Sequence, residues 1–279
     1  MNAGLLELPL VFFTVLAQAA VGTLWVFAYV LWQKEAETEK SRIYKLMFLP
    51  LVLLGIGFIA SILHLGTPIR AFNSLNRVGE SMLSNEIASG ALFFAIAGFY
   101  WLIAIIGKMP SGLSRIWLVV MVISGAVFMY MMNNVYHIDT VPTWNNAITS
   151  WQFYLTVVLM GTALGYALLH PIRPLCLLPL PLPLPWLFGL AMVASVAVVI
   201  YQSFTLASIH SAVQQAINLV PEYVWLNIIR LLCLVLANLL LCKSNHRAGL
   251  LFAVLLVFGG EVLGRIIFYG LHMTVGMAV

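Results

Sequence analysis

Residues 34–66 read KEAETEKSRIYKLMFLPLVLLGIGFIASILHLG, a charged connection running to Lys45 and then an uncharged apolar run that ends near His64 and Gly66. A helix of that length crosses the roughly 30 Å of hydrocarbon in a bilayer. Seven further runs lie on either side of it, at 9–32, 87–107, 116–136, 151–169, 187–208, 223–242 and 249–270. Composition agrees, because 63% of residues are hydrophobic and 8% charged, against about 25% charged in soluble domains. The mean hydropathy is +1.04. The expectation is an all-α integral membrane protein of eight transmembrane helices, one polytopic domain over 1–279, with no room for an extramembrane catalytic domain.

Basic residues bunch in alternate connections. Lys34, Lys40, Arg42 and Lys45 follow the first run, Lys108 and Arg115 the third, Arg173 the fifth, and Lys243 and Arg247 the seventh, nine of the thirteen in all. The positive-inside rule makes these connections cytoplasmic and, the number of spans being even, puts both termini in the periplasm. Residues 137–150 and 209–222 contain no Lys or Arg, so the connection 67–86, with Arg70 and Arg77, departs from the rule. The N-terminal run has a small-x-small pair at Ala17 and Ala19, but Glu7 and no cation precedes it, so it reads as an uncleaved span. Between the fifth and sixth runs, residues 171–185 alternate Pro with Leu at their end, which suits an extended cytoplasmic connector between a five-span and a three-span portion. Cys176, Cys233 and Cys242 lack C-x-x-C spacing and read as small apolar residues. An iron–sulfur cluster held by this protein alone, needing about four ligands, is not expected.

The polar residues that lipid should exclude point to function. Counting from Lys45, His64 stands about 28 Å along the second helix, at the outer edge of the hydrocarbon. The backbone then turns through Thr67 and Pro68 and re-enters at Ser84-Asn85-Glu86, with Glu86 in the first turn of the next helix, where the dipole favours a carboxylate. His64 and Glu86 are thereby expected at one depth, an arrangement suited to taking two protons from a lipid-soluble substrate. The plainer alternative is an interfacial His and an N-terminal charge. Arg70, Asn73, Ser74, Asn76 and Arg77 in one short outer loop exceed what a turn needs.

A second cluster sits on the last span. Glu261 and Arg265, four apart on one face, are expected to pair with each other, as a structural ion pair or as part of a proton path. Arg230, about 12 Å into the seventh span, needs a carboxylate or carbonyls, with Glu261 one candidate. His137, His170, His210, His246 and His272 lie in loops or margins, which argues against a haem, since a b-type haem needs two His facing each other inside the hydrocarbon.

Five stretches carry a family resemblance: GIGFIASILHLG at 55–66, RAFNSLNRVG at 70–79, LSNEIASG at 83–90, IDTVPTW at 138–144 and FYGLHMTVGMA at 268–278. They resemble the membrane anchor subunits of anaerobic dimethyl sulfoxide reductases and, more distantly, the quinone-linked anchors of polysulfide and nitrite reductase complexes. Only the proline-rich connector departs from the family pattern. The resemblance implies a heterotrimer in the bacterial inner membrane, in which a molybdopterin subunit reduces dimethyl sulfoxide or related S- and N-oxides and an iron–sulfur subunit carries electrons. The anchor would bind menaquinol as substrate and hold no haem or iron–sulfur cluster of its own. A nucleic-acid partner is not expected. Carried over by position, the quinol-site residues are His64, Gly66, Arg70, Phe72, Ser74 and Glu86. His64 and Glu86 would take the protons, while Arg70 and Arg77 either polarise a quinol oxygen or bind an acidic face of the iron–sulfur subunit. A purely structural anchor and a secondary transporter are the competing classes; the latter should show internal repeats and helices broken near the midplane.

Overall fold

The computed structural model describes residues 2–33, 39–64, 73, 75–170, 183–210 and 214–274, apart from the side chains of residues 2, 3 and 64. A short helix, α1 (Asn2–Leu6), precedes the first span, α2 (Leu8–Trp32), whose Pro9 sits in the first turn where no N–H is required. The second span is α3 (Lys40–Leu46) continued by α4 (Phe48–His64). The helical hydrogen bonds run on through Met47, whose N–H donates to the Ile43 carbonyl at 3.0 Å, so α3 and α4 form one span. Then follow α5 (Met82–Ile105), α6 (Ser111–Asn134), α7 (Ala147–Leu169), α8 (Leu184–Ser208), α9 (Tyr223–Lys243) and α10 (Arg247–Gly270). Eight of these segments, with α3 and α4 taken together, are long and apolar enough to cross a membrane.

Their packing groups them four and four. Helix α2 packs on α4 and α6, α5 packs on α6, and α7 packs on α8 and α10, with α9 against α10. The two groups meet where α2 lies along α7. At that crossing Gly22 faces Gly161 so closely that a Cβ on Gly22 would overlap the carbonyl oxygen of Val157. Without a hydrophobic drive between helices in lipid, such backbone contact is what small residues provide. Consequently α2 and α7 are the most buried spans, although nothing in their composition sets them apart. The proline-rich stretch runs between α7 and α8, which pack on one another. Residues 171–182 of that stretch lie outside the described residues, and Leu184 and Pro185 open α8.

The first and last helices meet on one face. A Cβ on Gly4 would fall 3.1 Å from the amide nitrogen of Gly270, so α1 sits against the end of α10. This terminal face also carries the ends of α4, α6 and α8 and the starts of α5, α7 and α9. The opposite face carries Lys40, Arg42, Lys45, Lys108, Arg115, Lys243 and Arg247.

Candidate functional site at the terminal face

Helices α4 and α5 run antiparallel, and their register is set by Phe58. Its ring meets Phe94 edge-on at 5.9 Å and lies 3.0 Å from where a Cβ on Gly90 would be. At 1.5 Å per residue, the backbone of His64 is about 9 Å beyond Phe58 and Glu86 about 6 Å beyond Gly90, both toward the terminal face. The two helix ends are thus nearly level. The His64 side chain and Gly66, Arg70, Phe72 and Ser74 lie outside the described residues.

Glu86 does not sit at the surface as an N-terminal charge would. It is 3% exposed, and its Oε1 has no hydrogen-bond partner among the described residues. Leaving an ionised carboxylate unpaired in such a place costs several kcal/mol in order-of-magnitude terms, so the oxygen is an acceptor waiting for a donor. Next to it, just past α6, Tyr136 is buried and its hydroxyl bonds that of Tyr269 on α10. Burial first, and then the neighbouring Tyr269 and Glu86, push the Tyr136 phenol well above its ordinary value. Arg77, by contrast, is turned to the surface, with its Nε 3.7 Å from Glu80 and its side chain 72% exposed.

An aromatic cap closes the bundle beside this pair. Trp144 donates its indole N–H to the carbonyl of Phe268 at 2.9 Å and stacks on that ring at 5.0 Å. Asn146 caps α7 by accepting from the amides of Ile148 and Thr149, at 3.0 and 3.4 Å, which holds the 135–146 loop in register. His137 serves the same loop, with its ring nitrogens 3.0 Å from Ser150 Oγ and 3.3 Å from Asn145 Oδ1.

Deeper in, the expected Glu261–Arg265 pair is not formed. Glu261 instead reaches across to α9, where Arg230 Nη2 donates to its two oxygens at 3.0 and 3.3 Å and Nε donates at 3.3 Å. Thr156 of α7 donates to the same carboxylate at 2.5 Å. The reason is space: Gly264, one turn along α10, lies flat under the Arg230 guanidinium, 2.7 Å from its Cζ to the position a Cβ would take. Arg265 goes the other way. Its Nη2 donates to Gln18 Oε1 of α2 at 2.7 Å, and its guanidinium lies 3.7 Å from the centre of the Phe153 ring. Gln18 in turn donates to the Phe153 carbonyl at 3.1 Å, so one glutamine ties α2, α7 and α10 together.

Sequence reasoning passed over Gln18, Tyr136 and Thr156, and touched Trp144 and Tyr269 only as members of the family-like stretches. Gln18 was the findable one, an amide in the middle of an uncharged span, which lipid tolerates only when it faces a partner.

Residues 1–271 match the family described as DMSO reductase anchor subunit (DmsC). The sequence is 56% identical over 281 residues to a polypeptide of the anaerobic dimethyl sulfoxide reductase of Haemophilus influenzae, with 100% of this protein and 99% of that one aligned. It is 47% identical over 291 residues to YnfH, an anaerobic dimethyl sulfoxide reductase polypeptide of Escherichia coli, with the same coverage. To a second anaerobic dimethyl sulfoxide reductase polypeptide of Escherichia coli it is 46% identical over 296 residues, again with 100% and 99% aligned.

Proposed function

The protein belongs to the DMSO reductase anchor subunit family, and from that premise and the position of Glu86 we propose that it oxidises menaquinol on behalf of its complex. Its coarse role follows from the family: it anchors a dimethyl sulfoxide reductase in a membrane, beside catalytic and electron-transfer partner subunits. The finer reading is a heterotrimer of the bacterial inner membrane, in which a molybdopterin subunit reduces the oxide and an iron–sulfur subunit receives the electrons. The terminal face is then periplasmic, a choice supported by the basic residues of the opposite face.

One observation carries the site. Near the start of α5, level with the end of α4 where His64 stands, a buried carboxylate oxygen has no donor among the described residues. A quinol brings two hydroxyl donors, and its oxidation releases two electrons and two protons. A neutral imidazole, with an ordinary pKa near physiological pH, suits the first of those protons. His64 takes that role, and Glu86 Oε1 either orients the imidazole or accepts the proton from it on the way to water at the terminal face. Gly66, Arg70, Phe72 and Ser74 complete the quinol site by family resemblance. Arg77, exposed beside Glu80, is assigned instead to docking an acidic face of the electron-transfer partner.

The test is Glu86→Gln and His64→Arg in the assembled complex, followed with a quinol analogue and, separately, with an artificial reductant that feeds the partner subunits directly. Loss of a positioned proton acceptor lowers quinol turnover about a hundredfold, while assembly and artificially driven oxide reduction persist. Undiminished quinol oxidation by Glu86→Gln, or loss of assembly in both variants, overturns the reading in favour of a structural anchor.

A further inference from the structure

Between α4 and α5 lies a cavity of about 500 Å³ on the lipid-facing side of the bundle, lined by Phe48, Leu51, Gly55, Phe94, Gly98 and Trp101 among others. Its lining is almost wholly apolar. The groove exists because two side chains are missing. A Cβ built on Gly55 or on Gly98 meets no heavy atom within 4 Å, whereas the neighbouring lipid-facing positions, Ile59, Phe99 and Leu102, carry large exposed side chains. At its far end Phe48 and Trp101 close it, ring centres 5.4 Å apart. At its near end the same two helices continue past Phe58 and Phe94 to His64 and Glu86. Counting along α5, the groove begins about 12 Å and ends about 22 Å below Glu86.

We propose that this groove holds the isoprenoid tail of the quinol whose ring is oxidised beside His64 and Glu86. The inference rests on the quinol reading given above and adds a specificity element to it. Continuity decides the occupant. The slot lies on the helix pair that ends in His64 and Glu86, and a tail hanging from a ring at the terminal face runs down that pair along the membrane normal. Lipid tails are as apolar as the groove, so burial itself gives no preference. The preference comes from shape: a preformed slot lets the branched tail lie against rigid aromatic walls through many small dispersion contacts, without displacing side chains. A quinol ring with no tail cannot reach a wall about 12 Å away and is indifferent to the groove.

Filling the slot tests this. Gly55→Leu and Gly98→Leu, singly and together, place side chains where the structure has open space, so the fold tolerates them, and Gly98→Ala is the control that leaves the groove largely open. The assembled complex in membranes is assayed with two probes, a methylnaphthohydroquinone without a tail and the same ring bearing a multi-isoprenoid tail. The expected result is a KM about tenfold higher for the tailed quinol in the double leucine variant, with unchanged kinetics for the tail-less one. Equal behaviour of the two quinols, whether both are unaffected or both are impaired, overturns the groove assignment and leaves the quinol reading standing. If the unaltered complex oxidises neither quinol, the quinol reading itself falls and the tail site with it.

Discussion

Two buried residue pairs each give a measurable consequence. Arg230 and Glu261 are each under 6% exposed in their side chains and satisfy one another through three hydrogen bonds. Arg230→Met strands the carboxylate, and the expected loss is about 3–5 kcal/mol, read as a lower melting temperature of the solubilised complex. Glu261→Met in the same variant restores most of that loss, because two well-packed apolar residues replace an ion pair at little net cost. Tyr136 and Tyr269 behave in the same way on a smaller scale. Removing one hydroxyl leaves its partner unsatisfied at about 1–3 kcal/mol, so the double Tyr→Phe variant is less destabilised than the sum of the singles in a double-mutant cycle. At this scale the sequence was only partly legible. The placing of Glu86 level with His64 rests on counting residues along two helices, a step that lipid thickness constrains. The partner of Glu261 came out only as one of two candidates, since spacing along one helix names Arg265, depth in the bilayer names Arg230, and neither shows the guanidinium arriving from α9 over Gly264. Nor did Tyr136 and Tyr269 stand out, because tyrosines at helix ends are ordinary in the interfacial belt.

Among the elements, α2 and α7 matter most, and Gly22 and Gly161 are why. Either residue changed to Val pushes a methyl into the facing backbone, onto the Val157 oxygen at Gly22 and within 2.5 Å of the Gly22 carbonyl carbon at Gly161. The two helices must then separate, with an expected cost of about 3 kcal/mol or more, seen as loss of the intact complex from membranes; Gly55→Ala, facing open space, is the neutral comparison. A smaller effect belongs to Asn146, whose replacement by Ala removes the α7 cap for about 1 kcal/mol. The existence and limits of the spans could be read from the sequence because hydrocarbon demands an uninterrupted apolar run. Their neighbours could not. Both α2 and α8 are apolar nearly all round, so no periodic stripe distinguishes the central α2 from the peripheral α8.

For the whole molecule, the meeting of Gly4 with the end of α10 means that reporters fused to either terminus stand on the same side. With the basic face cytoplasmic, a reporter that works only in the periplasm is active at both ends and silent when inserted at residue 108; the reverse pattern overturns the proposed orientation. The bundle's hub also sets an order of events during synthesis. Gln18 emerges first and meets Arg265 only after 247 further residues have been made, roughly 10–50 s of elongation at bacterial rates. Throughout that interval the first helix sits in the bilayer with an amide awaiting its counterpart. Completion of the polypeptide, not insertion of its opening segment, seals the interior, so a product ending before residue 247 crosses the membrane yet remains open to proteolysis until a separately expressed last helix joins it.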